Sequence, residues 1–261
     1  MFDFHMHSTV SYDGRGEALQ MVKAARAAGL REICFTDHLD YDPAPNAQDL
    51  TFDTAAYNAA YNDLDVPGLL IRRGVEFGML PDNRDTLRKD LTRRPFDFVM
   101  GSVHFVDGVD IYYESYWTDK KPEDAERRYF EYVLACVQAH DDFDVLGHIT
   151  YIGKIMANPS RRPILCKEYP EIIDEILRIL VQKGKGLEVN TSGFDRCGAY
   201  LPSADYLRRF KELGGEIVTV GSDAHDPSRV GQYCRDACEM VNSIFGYVCT
   251  FENRKPIFHK L

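Results

Sequence analysis

The sequence predicts an α/β barrel of seven strands, and three observations carry that prediction. About seven short apolar runs alternate with segments of helical periodicity. The runs end on chemistry-bearing side chains: His5 and His7, Asp37 and His38, Glu76, His104, His148, and Asp223 with His225. No internal repeat, low-complexity tract or linker divides the 261 residues, so one domain over 1–261 is expected. An open parallel sheet cannot aim the ends of distant strands at one point. A closed barrel does, and α/β barrels place their active sites at that face.

The elements follow in order. Phe2 and Phe4 lie two apart and mark a buried strand that runs into His5 and His7. Residues two apart on a strand share a face, so the two imidazoles project side by side. Asp13 follows on a loop closed by Gly14. From Gly16 to Ala28 the apolar positions Leu19, Val22, Ala25 and Ala28 recur at threes, and Gly29 stops the helix. Ile33 to His38 is the second strand. Residues 39–52, with prolines and aspartates, read as loop, and Thr54 to Leu64 as helix. Leu69 to Glu76 is a strand, 82–94 a polar helix, and Phe98 to His104 a strand. Residues 107–121 form an aromatic loop. Pro122 opens a helix that runs to Ala139, and Phe143 to His148 is a strand. A second long loop, 150–168, carries Lys154, Arg161 and Arg162. Pro170 starts an amphipathic helix ended by Gly184, and Leu187 to Asn190 is a strand. Ser203 is expected to cap a helix stopped by Gly214 and Gly215. Ile217 to His225 is the last core strand.

Composition narrows the function classes. At 44% hydrophobic residues the chain can bury a sizeable core. A formal net charge of −10 without long runs of one sign disfavours nucleic-acid binding. It does not exclude a small anionic substrate, because bound divalent cations can dominate a site's local field. No apolar run approaches the roughly 18 residues of a membrane span, and no signal-peptide pattern is present. The seven cysteines are odd in number and irregular in spacing, which predicts free thiols in a reducing cytoplasm. Cys234 and Cys238, four apart, read as small apolar filler rather than a zinc pair.

Six of the eight histidines fall at predicted strand ends, while His140 and His259 lie outside the set and read as surface residues. The candidate metal ligands are His5, His7, Asp13, His38, Glu76, His104, His148, Asp223 and His225. That is too many for one tetrahedral site. They suit two or three ions, and mixed imidazole and carboxylate donors favour Zn²⁺, Mn²⁺ or Fe²⁺ over Ca²⁺.

These motifs together resemble the polymerase-and-histidinol-phosphatase (PHP) family. His5-x-His7, Thr36-Asp37-His38, Gly74-Val75-Glu76, Ser102-Val103-His104, Gly147-His148 and Ser222-Asp223-Ala224-His225 occur in that family's order, over residues 1 to about 230. The resemblance implies a distorted (β/α)7 barrel and a trinuclear centre. By position, His5, His7, Glu76 and Asp223 would hold one ion, Glu76 with His104 and His148 a second, and Asp13, His38 and His225 a third. Some members carry histidine where Asp13 stands. Asn190-Thr191-Ser192-Gly193 is among the features that make the chain look most like the stand-alone histidinol phosphatases. That implies hydrolysis of L-histidinol phosphate, a step of histidine synthesis.

For such chemistry Glu76 is the expected bridge between two ions that activate a hydroxide. Asp37 and Asp40 are candidates to protonate the leaving alcohol. Arg161 and Arg196 are the preferred phosphate-binding arginines, ahead of Arg162 and Arg229. Glu114 and Tyr116 are candidates to bind the substrate's ammonium and imidazole. Rival readings are a family member acting on a nucleotide or another small ester, a metal-dependent amidohydrolase, and a non-catalytic metal-binding module.

Overall fold

The computed structural model describes residues 1–43 and 49–261. Seven parallel strands form the barrel wall in the order β1 (Phe2–Met6), β2 (Glu32–Phe35), β5 (Leu70–Gly78), β6 (Phe98–Ser102), β9 (Val145–Leu146), β10 (Gly186–Asn190) and β11 (Val218–Gly221). The two short strands between β2 and β5 are β3 (His38–Tyr41) and β4 (Asp49–Leu50). The ends of the path meet, because the Asp223 amide donates to the His5 carbonyl at 2.8 Å and the His7 amide to the Ala224 carbonyl at 2.9 Å. Buried Asp3 locks this seam by accepting from the Ser222 amide at 2.8 Å and the Ser222 hydroxyl at 2.5 Å. With two residues, β9 is the shortest stave.

Helices shield the outside. They are α1 (Ala18–Ala27), α2 (Thr54–Tyr61), α3 (Arg84–Leu91), the single turn α4 (Glu114–Trp117), α5 (Pro122–Ala139), α6 (Pro170–Gln182), the single turn α7 (Phe194–Cys197), α8 (Ala204–Glu212) and α9 (Cys234–Phe245). Pro122 and Pro170 stand in the first turns of α5 and α6, where a missing amide proton costs nothing. The apolar stripe of α6, with Ile173, Ile176, Leu177 and Leu180, is fully buried against the wall. Among the described residues no helix is long and apolar enough to cross a membrane.

Inside the wall, Phe4, Cys34, Phe98, Met100 and Val145 pack with Phe251 into a separate small core. Phe251 lies on β12 (Val248–Glu252), which pairs with β13 (Lys255–His259) as an antiparallel hairpin. The hairpin covers the N-terminal end of the barrel. The Arg254 amide bonds the Asp97 carbonyl just before β6, and Thr250 Oγ1 reaches Glu32 at the start of β2. Nothing in the sequence reading anticipated this hairpin.

Several expectations need correction. The strand expected from Ile33 to His38 is interrupted at Thr36 and Asp37, yet β2 and β3 both pair with β5 without a change of register. Of the loop expected at 39–52, β3 and β4 make a hairpin and residues 44–48 lie outside the described residues. The aromatic loop contains β8 (Val109–Asp110), paired with β7 (Phe105–Val106), and α4. The last core strand ends at Gly221, and Asp223 follows with φ 56°, in the left-handed region. Ser203 holds the cap position of α8, but its hydroxyl bonds Asp205 at 2.6 Å instead of a backbone amide. His140 is buried, with Nε2 donating to the Leu80 carbonyl at 2.8 Å. Cys234 and Cys238 are buried on α9 as packing residues.

Candidate metal centre

The C-terminal mouth of the barrel gathers all nine predicted ligands into one cluster, and Glu76 stands at its middle. Its Oε2 lies 3.2 Å from His5 Nε2, 3.5 Å from His7 Nε2 and 3.2 Å from His38 Nδ1. Its Oε1 lies 2.8 Å from His148 Nε2 and 3.4 Å from His104 Nε2. The two carboxylate oxygens thus face two separate sets of imidazoles. Asp223 Oδ1 is 3.6 Å from His5 Nε2 and 3.5 Å from His7 Nε2. Asp13 Oδ2 is 3.0 Å from His225 Nε2 and 3.7 Å from His38 Nε2. Asp13 reaches this point because the loop turns sharply at Gly14, where a Cβ would fall 1.8 Å from the Ser8 carbonyl oxygen.

The histidines are oriented from behind. His5 Nδ1 bonds Glu188 at 2.6 Å, His7 Nδ1 bonds Ser11 at 3.2 Å, His104 Nδ1 bonds Asp40 at 3.0 Å, and His225 Nδ1 bonds the Asp223 carbonyl at 3.0 Å. Each outer bond uses the ring proton and leaves the inner nitrogen's lone pair facing the cluster. The inner nitrogens of His5 and His7 are 3.0 Å apart. Two lone pairs at that distance need a proton or a cation beside them. The donor set and its orientation therefore fit metal ions of the Zn²⁺, Mn²⁺ or Fe²⁺ type.

Electrostatics agree with a cation-hungry site. Burial pushes the Glu76 carboxyl up, but His5, His38 and His104 outweigh it and hold it well below the usual carboxylate range. Burial drives His7 well down, helped by the facing His225 and His38 rings, so it stands neutral as a ligand must.

Glu188 was missed as a site residue. It bonds His5 on one oxygen and the His148 amide at 2.8 Å on the other. Its approach requires Gly221, where a Cβ would fall 2.3 Å from His5 Cβ and 2.7 Å from Glu188 Oε1. A charged residue between Leu187 and Val189 on a wholly buried strand was the available signal.

Other expectations are redirected. Asp37 does not face the cleft. Its carboxylate accepts from the Ser8 amide at 2.9 Å, Ser11 Oγ at 3.0 Å and Tyr61 Oη at 2.5 Å, so it fixes the loop behind His7. Asp40 is buried with His38 Nδ1 at 3.1 Å and His104 Nδ1 at 3.0 Å. Burial raises its carboxyl, but these imidazoles outweigh that and hold it below the usual carboxylate range. Arg161 is exposed, with its guanidinium against Met156, and does not reach the cleft wall. Arg162 is tied to Glu126 and Glu168. Glu114 is exposed outside the wall, and Tyr116 is buried with its hydroxyl donating to the Ala125 carbonyl at 2.8 Å. Their places on the wall are taken by Tyr112 and Tyr113.

The cleft above the cluster has a volume of about 590 Å³. Arg196 lines it as expected, joined by Arg15, Lys154 and Arg229. Lys154 Nζ donates to Ser192 Oγ at 2.6 Å and Asp223 Oδ2 at 2.7 Å, and Arg229 pairs with Asp195 at 2.6 Å.

An α/β barrel whose mouth collects imidazoles and carboxylates around a central glutamate, beneath a cleft that also presents arginines, defines a metal-dependent hydrolase of anionic esters. The particular family follows from comparison: residues 3–192 match the PHP domain, and the chain belongs to the PHP domain family. It is 34% identical over 235 residues to a histidinol-phosphatase of Lactococcus lactis subsp. lactis, covering 87% of this chain and 85% of that protein. It is 30% identical over 261 residues to a probable histidinol-phosphatase of Clostridium acetobutylicum, covering 99% of this chain and 96% of that protein. Among solved structures, a histidinol phosphate phosphatase from Lactococcus lactis, complexed with zinc, L-histidinol and phosphate, superposes with a TM-score of 0.86 at 30% identity and 98% coverage of both chains.

Proposed function

We infer that the chain hydrolyses L-histidinol phosphate to L-histidinol and phosphate, in histidine synthesis, as a metal-dependent phosphomonoesterase. One observation carries the reading. The Lactococcus structure similar to this chain over 98% of its length is complexed with zinc, L-histidinol and phosphate, and this chain brings imidazole and carboxylate groups able to hold such ions to its barrel mouth.

Two or three divalent ions are the cofactors of this reading. His5, His7, Glu76 and Asp223 would hold one, Glu76 with His104 and His148 a second, and Asp13, His38 and His225 a third. When bound, the ions supply an activated hydroxide and offset charge on the phosphoryl oxygens. The chain's own residues do the rest. Glu76 presents one oxygen to each half of the cluster and so ties their positions together. Glu188, Ser11 and Asp40 hold the rings of His5, His7 and His104 in one tautomer. Arg196 and Arg15 offer guanidinium groups to the phosphoryl oxygens, the fork geometry that phosphate favours. Burial of the cluster keeps bulk water away and strengthens each of these interactions. Residues 1–261 act as one unit in this reading. The seven free cysteines suit a reducing cytoplasmic setting, and the acidic chain suits a small-molecule substrate rather than nucleic acid.

The test is phosphate release from L-histidinol phosphate by enzyme loaded with Zn²⁺ or Mn²⁺, beside a panel of nucleotides and sugar phosphates. A kcat/KM above about 10⁴ M⁻¹s⁻¹, well ahead of the panel, is the expected result. Uniformly weak activity in metal-loaded enzyme would reject L-histidinol phosphate as the substrate.

A further inference from the structure

We propose that Asp110, flanked by Tyr112 and Tyr113, is the pocket for the cationic end of the substrate's leaving alcohol. The proposal rests on the phosphomonoesterase reading above and says which half of the ester each side of the cleft takes.

Strand order polarises the cleft. Arg196 follows β10, Arg229 follows β11 and Arg15 follows β1, and these three strands are neighbours around the ring. Asp110 closes β8, on the excursion that follows β6. On the ring β6 lies farthest from the seam between β11 and β1. The guanidinium groups and the Asp110 carboxylate therefore face each other across the metal cluster. An ester that set its phosphate among the arginines and ions would lay its alcohol towards Asp110.

Asp110 is prepared for a cation. Its Oδ1 accepts the Tyr112 amide at 2.8 Å, which fixes the carboxylate. Among the described residues its Oδ2 has no hydrogen-bond or ion-pair partner. The Ile111 amide bonds the His104 carbonyl at 3.1 Å, so the position of Asp110 is tied to a residue of the metal cluster. Tyr112 and Tyr113 meet edge to face at 5.5 Å, and both are more than half exposed although they lie in the cleft wall. Tyr12, on the loop that follows β1, is 54% exposed in the cleft lining, with its ring 5.4 Å from that of His38. Large exposed rings around a carboxylate make a surface that attracts organic ammonium and imidazolium groups, through charge and through the ring faces. A neutral alcohol gains only the apolar part of that contact. The pocket thus selects amine-bearing phosphate esters over neutral ones, whereas the metal cluster treats both alike.

The experiment compares kcat/KM for L-histidinol phosphate and for phenyl phosphate, a neutral-alcohol ester, in zinc-loaded wild type and Asp110→Asn. The expected result is at least a tenfold fall in the ratio of the two. Calorimetry of L-histidinol binding to the same preparations should give at least a tenfold weaker Kd in the variant. An unchanged ratio, including one in which both rates fall together, overturns the proposal, and so does an unchanged Kd. Wild type inert towards L-histidinol phosphate overturns the substrate assignment instead. The pair 2-aminoethyl phosphate and ethyl phosphate then tests the pocket by itself. Equal kcat/KM for these two in wild type overturns it, and a preference for the amine that Asp110→Asn abolishes supports it.

Discussion

His140 follows α5 with its ring buried, Nε2 donating to the Leu80 carbonyl at 2.8 Å and Nδ1 without a hydrogen-bond partner. Burial lowers its pKa below the ordinary 6.5, because a second ring proton would have no partner. The sign of the pH effect follows. Below about 6.5 the unfolded chain takes up a proton that the folded chain refuses, so the native state loses stability as pH falls. Above that value the contribution is complete and flat. His140→Gln keeps an N–H for Leu80 and removes the titration. Urea unfolding from about pH 7 to about pH 5 should therefore show a smaller loss of stability in the variant than in wild type. Equal losses would reject the assignment. The residue also marks what single positions conceal. His140 and His104 differ little as letters. What separates them is that His104 ends a predicted strand, and that periodicity pointed to the cluster. Asp40 and Glu188 were harder to read, because a carboxylate that orients a ring bears no motif of its own and declares itself only through distance.

At the scale of elements, the barrel staves were legible because each is an apolar run closed by a polar residue, a pattern readable from one strand at a time. Both long central helices were legible as well, from Pro122 and Pro170 at their starts and from amphipathic spacing. The loops were not. Tyr112 and Tyr113 reach the cleft and Tyr116 does not because Tyr116 lies within the turn α4, where it packs against Trp117 and α5. The hairpin β12–β13 went unread for another reason: its role is to close the floor of a barrel that other segments build. Phe251 is its main contribution, with its ring 5.0 Å from Phe98 inside the wall. Phe251→Ala should cost about 3–5 kcal/mol, the usual range for emptying a buried aromatic site. Denaturant unfolding of the two proteins at equal metal content would measure it. A loss under about 1 kcal/mol would mean that the floor is not packed as described.

For the whole molecule, the cluster of imidazoles and carboxylates proposed to hold metal ions is also a liability to the fold. Glu76, Asp223, Asp40 and Glu188 are all carboxylates at the mouth of the barrel, contributed by strands or strand ends from β3 to the segment after β11. The imidazoles beside them have their inner nitrogens pressed together. Without cations these groups would have to take up protons or move apart, and the staves that carry them would loosen together. Binding to the folded chain alone adds RT ln(1 + [L]/Kd), about 2.7 kcal/mol per site at a hundredfold excess over Kd. In a chain of this size roughly 1 kcal/mol moves Tm by about 2–4 °C. Stripping the ions with a strong chelator should therefore lower Tm by more than about 5 °C, with recovery on adding Zn²⁺ or Mn²⁺ but not Ca²⁺, whose preference is for oxygen donors. Scanning calorimetry, with metal content checked by elemental analysis, reads this without reference to turnover. An unshifted Tm in protein verified to be metal-free would mean that the carboxylates and imidazoles satisfy one another unaided, and the cluster would then be a hydrogen-bonded core rather than a metal centre.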